Sequence, residues 1–141
     1  MMKTTYGRVA LFVLLALLLP IACYAKGKPV DRGEGTWGLN GVPMVTISNI
    51  HMDTSYMGKT LMPFGDLRNI SGQPIQNIVV TAGDHENGDT IIFGTDTLSN
   101  TDLNTNEVWR WSVTAKNAVS YEVLRISVNG QLLTRQSTTT N

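Results

Sequence analysis

The sequence predicts an all-β fold, a single β-sandwich of about seven strands that follows an N-terminal signal peptide. From residue 44 onward, short runs rich in β-branched and aromatic residues alternate with turn signals at hairpin-like spacing. No stretch of about twelve residues in that region shows a helical period with caps at its ends. The chain has 141 residues, which suits one domain behind a signal.

Residues 1–25 are predicted to be an export signal. Lys3 and Arg8 precede an apolar run at residues 9–22, and small residues follow it. A positive start, a short apolar segment and small residues at the cleavage point are typical of secretory signals. The run is also short for a transmembrane helix, which takes roughly 20 apolar residues.

Two processing sites are compatible with this signal. Cleavage after Ala25 would discard Cys23, the only cysteine in the chain. Cleavage before Cys23, as in a bacterial lipoprotein, fits the preceding Ala22 but not Pro20, where the lipobox pattern has a branched apolar residue. The first site predicts a soluble periplasmic or secreted protein that begins at Lys26. The second predicts a domain held at the membrane by lipid on Cys23.

Residues 26–43 contain five glycines and two prolines and are predicted to form a flexible Gly-rich linker. Trp37 lies within this segment. We interpret it as a residue that folds back onto an edge of the domain, because a single apolar residue at a surface needs no functional explanation.

The β-sandwich domain is predicted over residues 44–135, and residues 136–141 are predicted to be a disordered tail. Alternation and β-branched content place strands at residues 44–50, 61–70, 75–82, 90–94, 108–113, 121–128 and 131–134. The pattern is typical of an immunoglobulin- or fibronectin-like sandwich.

Particular residues refine this strand pattern. Pro63 should keep its strand away from the centre of a sheet, since proline donates no ladder hydrogen bond. Polar turns are predicted at residues 71–74 and 84–89, the second with Gly88 in the left-handed region. Asn129 and Gly130 predict a type I′ hairpin turn.

Alternation also predicts which side chains enter the core. The strand at residues 108–113 should bury Trp109 and Trp111 on one face. The strand at residues 121–128 should turn Leu124, Ile126 and Val128 to the same core.

Residues 64–128 resemble the FxLYD family of exported prokaryotic β-sandwich domains. The resemblance rests on these residues: Gly65, Leu67, Asn69, Ser71, Gly72, Pro74, Ile75, Asn77, Ile78, Val79 and Val80, then the acidic turn at residues 84–88, the loop at residues 103–107 and the aromatic strand at residues 121–126. At Thr105 and Asn106 the family more often has proline and glycine. The resemblance implies an accessory or binding module without chemistry of its own.

Composition limits the possible functions. If the signal is removed, the remaining chain carries 9 basic and 11 acidic residues, a net charge of −2. Scattered charges of this kind do not form the clustered basic face that a nucleic-acid partner needs. No nucleophile motif is present, so no catalytic residue and no cofactor is predicted. The expected function is binding or scaffolding of an envelope protein whose identity the sequence does not give.

The sequence offers two sets of possible metal ligands, and no metal site is predicted from either. The possible copper ligands are Met44, His51, Met52, Met57, Met62 and His85. Thioether and imidazole suit copper(I), and a periplasmic copper carrier is therefore the alternative function. Methionine is also common core filler. Oxygen ligands at Asp84, Glu86 and Asp89 could bind calcium, but their spacing does not match the twelve-residue EF-hand loop.

Overall fold

The computed structural model describes residues 32–54, 60–116, 118 and 120–137, which lie in the compact unit Asp31–Asn141. The ten strands, numbered in chain order, are β1 (Gly35–Leu39), β2 (Val42–Thr54), β3 (Thr60–Asn69), β4 (Ile78–Glu86), β5 (Asp89–Leu98), β6 (Val108–Ser112), β7 (Ala115–Lys116), β8 (Glu122–Val128), β9 (Gln131–Leu132) and β10 (Thr134–Arg135). Seven of them have five or more residues. The prediction of an all-β fold with about seven strands is confirmed.

The strands form two antiparallel sheets. The first sheet has the order β10-β1-β2-β3-β6, and β7 also pairs with β3. The second sheet has the order β5-β4-β8-β9. The largest fully buried side chains, which come from both sheets, are Trp111, Ile47, Leu67, Ile78 and Ile126. The two inner faces thus share one core, and the fold is the predicted β-sandwich.

Three of the hairpins turn on an Asn-Gly pair. The pairs are Asn40-Gly41, Asn87-Gly88 and Asn129-Gly130, and both members of each have positive φ. Type I′ turns require this geometry, and asparagine and glycine tolerate it best. The predicted turn at Asn129 and the left-handed Gly88 are confirmed. The second turn is shorter than residues 84–89, since β4 continues to Glu86.

Residues 35–43, predicted as linker, form β1 and the start of β2. Trp37 in β1 is only 6% exposed, which agrees with its interpretation as a residue folded back onto the domain. Gly38 lies at a register shift between β1 and β2, where a Cβ would come within 2.4 Å of the Val42 carbonyl oxygen. Glycine is therefore needed here for close approach of two strands. The sandwich begins before the predicted boundary at residue 44.

Pro63 lies inside the first sheet, contrary to the prediction. Strand β3 pairs with β2 on one side and with β6 and β7 on the other. The carbonyl of Pro63 accepts the Val113 N–H at 2.9 Å. The nitrogen and the carbonyl of one strand residue point to the same side. The proline nitrogen therefore faces the gap between β6 and β7, where the ladder is interrupted.

The core assignments from alternation hold with two corrections. Trp111 is fully buried, whereas Trp109 is only partly buried against the same core. In β8, a register shift against β4 turns Val123 into the core beside Ile126, and Leu124 stays half-exposed. A bulge of this kind reverses the alternation at one point of a strand.

The chain changes sheets at Leu133, near its C-terminal end. Strand β9 pairs with β8 of the second sheet, and β10 pairs with β1 of the first. Leu133 between them is buried, and its N–H donates to the Ile126 carbonyl at 2.8 Å. The edge strand predicted at residues 131–134 is thus shared by both sheets.

Gln136, the first residue of the tail predicted at residues 136–141, forms hydrogen bonds with the β1–β2 hairpin of the first sheet. The N–H of Gln136 donates to the Thr36 carbonyl at 2.8 Å, and its side-chain amide donates to the Gly41 carbonyl at 3.0 Å. Residues 138–141 lie outside the described residues.

The predicted signal, Cys23 and Met57 also lie outside the described residues. In the part of the chain that is described, no helix has the length and apolarity needed to cross a bilayer.

Candidate functional site

A cavity of about 280 Å³ opens at one end of the sandwich, between three chain segments. We call it the end groove. Its apolar lining comes from Leu39, Val42, Met44, Ile75, Val128 and Leu133, and its polar lining includes Gln73 and Gln131. The β1–β2 hairpin, the loop after β3 and the β8–β9 hairpin supply these side chains. Of these residues, the sequence pointed only to Met44, as a possible copper ligand, and to no binding site formed by the others.

The loop wall of the groove is fixed by Asn69, a fully buried polar residue. Its side-chain amide donates to the carbonyls of Gln73 at 2.6 Å and Leu103 at 2.8 Å. Its side-chain oxygen accepts the Ser71 N–H at 2.9 Å and the Ser71 hydroxyl at 2.7 Å. A buried side chain that makes several hydrogen bonds to one loop holds that loop in one conformation.

A second wall of the groove, the β8–β9 hairpin, is fixed by the turn at Asn129. Its N–H lies 3.3 Å from the Gln76 carbonyl and 3.2 Å from the Asn77 carbonyl, and donates to both. Its side-chain oxygen accepts from the Asn77 amide at 3.3 Å. Both walls are thus held by asparagine contacts, which makes the groove a preformed feature.

The chemistry of the end groove is that of an uncharged binding surface. No aspartate, glutamate, histidine, lysine or arginine belongs to its lining. The exposed amides of Gln73 and Gln131 flank apolar side chains and can bond peptide groups. The groove volume of about 280 Å³ lies just below the roughly 300–1,000 Å³ of cavities for drug-sized ligands. It therefore suits only a short apolar segment.

A second polar arrangement lies on the outer face of the first sheet. Asp66 accepts from the Asn49 amide at 3.0 Å and pairs with the Arg110 Nε at 3.1 Å. The guanidinium carbon of Arg110 lies 5.6 Å from the centroid of the Phe64 ring. The His51 ring lies 5.8 Å from the same centroid. We call these five residues the outer-face cluster.

The Asn49 hydrogen bond, and then the one from Arg110, lowers the pKa of Asp66 below its ordinary value. Hydrogen bonds to a carboxylate favour its charged form. The stability that these contacts add is present above the unfolded pKa and is lost as the pH falls through the lower folded pKa. Asp66 therefore continues to orient Arg110 in mildly acidic solution.

The possible copper ligands are dispersed. His51 in β2 and Met62 in β3 lie on the outer face of the first sheet. His51 pairs with Phe64 and Met62 pairs with Asp53, so the two residues belong to successive pairs on that face. Met52 points the other way and packs against the core, and Met44 lines the end groove. His85 belongs to β4 in the second sheet. The fold thus leaves two of the five described ligands on one surface.

His85 is instead linked to its own sheet. Its Nε2 lies 3.1 Å from a Glu122 carboxylate oxygen, and its Nδ1 lies 3.1 Å from the Thr90 hydroxyl. Asp84, one of the residues considered for calcium, accepts the backbone N–H of His85 at 2.8 Å. Among the described residues, no group of three or more imidazole, thiol or carboxylate side chains is placed to hold a metal ion.

Comparisons of the chain with protein-family models, curated proteins and solved structures found no match. Several residues that carry the FxLYD resemblance have structural contacts. Asn69 bonds Leu103, and Glu107 accepts the N–H and side-chain amide of Asn104 at 2.9 and 3.1 Å. Asn106, at the departure from the family pattern, has a φ of 68°, a conformation that asparagine tolerates.

Proposed function

We propose that this protein is a non-catalytic module that binds or scaffolds an envelope protein. We assign it to the periplasm or the secreted fraction, with a membrane anchor if Cys23 carries lipid. The sequence resemblance to FxLYD domains supports an accessory role of this kind. The signal-like segment at residues 1–25 supports the location.

The uncharged end groove is the observation that carries the proposal. Apolar surface at the centre of a contact and amides at its rim are the usual anatomy of a protein interface. Val42 is 59% exposed at the mouth of the groove, so a partner side chain can reach it. We propose that the partner places one short, uncharged apolar segment there.

A site-specific photocrosslinker tests this contact in the native cell. Placed at Gln131 in the groove, it should join the protein to one defined partner. Placed at Thr97, which is exposed on β5, it should give no product of that mass. Val42→Asp should then reduce the Gln131 product about tenfold, because an unpaired charge would be buried by the partner.

The matched control is Val108→Asp. Val108 is 45% exposed in β6, outside the groove lining. Both substitutions should leave the melting temperature nearly unchanged, since surface changes usually alter stability by less than about 0.5 kcal/mol. Equal loss of crosslinking in the two variants, or no product at Gln131, would refute the groove proposal.

The copper carrier remains the alternative proposal. Its support is the shared outer face of His51 and Met62, which offers one imidazole and one thioether. A copper(I) titration of the full chain distinguishes the two functions. We expect weak binding that His51→Ala barely alters, and tight one-to-one binding lost in His51→Ala would favour the carrier.

A further inference from the structure

Each of the three Asn-Gly turns contains a residue pair that can deamidate spontaneously. In such a pair, the backbone nitrogen of glycine can attack the side-chain amide carbon of asparagine. A new C–N bond closes a five-membered succinimide, and the bond from this carbon to the side-chain nitrogen breaks. The glycine nitrogen gives up its proton, and the side-chain nitrogen takes up a proton and leaves as ammonia. Water then opens the ring to aspartate or to isoaspartate, in which the main chain runs through the side-chain carboxyl carbon. Water is the only co-reactant.

Ring closure needs backbone rotation out of the turn conformation. The rate at each pair should therefore follow the fraction of time for which that turn opens, which differs between parts of a fold. Because the residue pair is the same at all three positions, the surrounding structure decides which one reacts.

Two of the turns are held by neighbouring segments. The N–H of Asn129 donates to the carbonyls of Gln76 and Asn77. The carbonyl of Gly41, in the first turn, accepts from the Gln136 amide at 3.0 Å. Opening either turn breaks these contacts as well as the hairpin.

The turn at Asn87 has less support. Strand β4 pairs with β8 only as far as Gly83, whereas its pairing with β5 continues through Glu86 to the turn. The last three pairs of this hairpin are therefore two-stranded, a form that is marginally stable in water. Among the described residues, no hydrogen bond reaches the side chain of Asn87, and the extension contacts β8 through the link between His85 and Glu122.

From this difference we infer that Asn87 is a site of spontaneous deamidation in the folded protein. The product places a new carboxylate between Glu86 and Asp89, where like charges repel. Isoaspartate also adds one methylene to the main chain of a two-residue turn, so the type I′ geometry cannot be kept. The modification therefore loosens the outer end of the β4–β5 hairpin.

Peptide mass mapping of the full chain, incubated at mildly alkaline pH, tests the site. In native buffer, Asn87 should convert about tenfold faster than Asn40 or Asn129, as expected for a locally less stable segment. In concentrated urea the three rates should become equal, because only the shared Asn-Gly chemistry remains. Equal native rates, or faster conversion at either of the other two pairs, would overturn the inference.

Glu122→Ala supplies a second test that keeps the reacting pair intact. Loss of the carboxylate removes the link from His85 to β8 and leaves only its contact with Thr90 inside the hairpin. The native rate at Asn87 should therefore rise while the rate at Asn129 stays the same. A rise at both positions would indicate general destabilisation and would contradict local opening of this hairpin. No rise at Asn87 would contradict the role of the His85 link.

Discussion

Replacement of Trp111 by alanine is expected to lower the free energy of unfolding by about 3–5 kcal/mol, the usual cost of removing a buried tryptophan. Trp111 is the largest fully buried side chain among the described residues. The Trp111 ring packs against Gly65, its cross-strand neighbour. A Cβ added at Gly65 would lie only 2.9 Å from Cζ2 of the ring. The total free energy of unfolding of a domain is about 5–15 kcal/mol, so this single substitution would remove a large share of it.

Urea unfolding followed by circular dichroism measures this effect. Trp109→Ala is the matched control, because Trp109 lies two residues away on the same strand face but is only partly buried. We expect its cost to be clearly smaller. An unchanged midpoint for Trp111→Ala, or equal costs for the two variants, would contradict the register of β6.

Trp111→Phe separates ring volume from polarity. The indole N–H of Trp111 is buried, and no hydrogen-bond partner for it exists among the described residues. Phenylalanine keeps most of the apolar contact and removes that donor. Its cost should therefore be well below that of the alanine variant.

Much of the fold could be predicted because each strand carries its own signal. Strand β6 alternates around Trp111, and the Asn129 turn has a mechanism that needs no distant contact. The same Asn-Gly rule, applied at Asn40, would have placed the first hairpin as well. The glycine content of residues 26–43 instead favours a flexible linker, yet Gly38 is needed for the close approach of two paired strands.

The remaining differences depend on contacts between segments. The shift that exposes Leu124 is a property of β8 paired with β4, and no local pattern shows it. Pro63 lies inside a sheet because its nitrogen meets a gap between two other strands. The end groove combines residues 39–44, 71–75 and 128–133, which are distant in sequence. Its location therefore could not be predicted from any single segment.

The second large effect is expected at Asn69, which joins the stability of the domain to the shape of the groove. Asn69→Ala removes four side-chain hydrogen bonds and leaves the carbonyls of Gln73 and Leu103 without these donors. Both carbonyls keep a second donor, the Ser71 hydroxyl for Gln73 and the Ile75 N–H for Leu103. The loss therefore comes from the four hydrogen bonds themselves, at about 0.5–1.5 kcal/mol each, and we expect a total of about 2–4 kcal/mol. Asn104→Ala is the control, since that asparagine is exposed and bonds only within its own loop.

Asn69→Asp tests whether the amide itself is required. The variant keeps the size and the acceptor for Ser71, but it loses both donated bonds and buries a carboxylate. Burial raises the pKa of such a group, so its destabilising effect should be largest at neutral pH and should diminish as the pH falls below the raised value. Urea unfolding of this variant and the parent at several pH values measures the difference. A pH-independent difference would show that position 69 reaches solvent, and the loop wall of the end groove would then lack its proposed support.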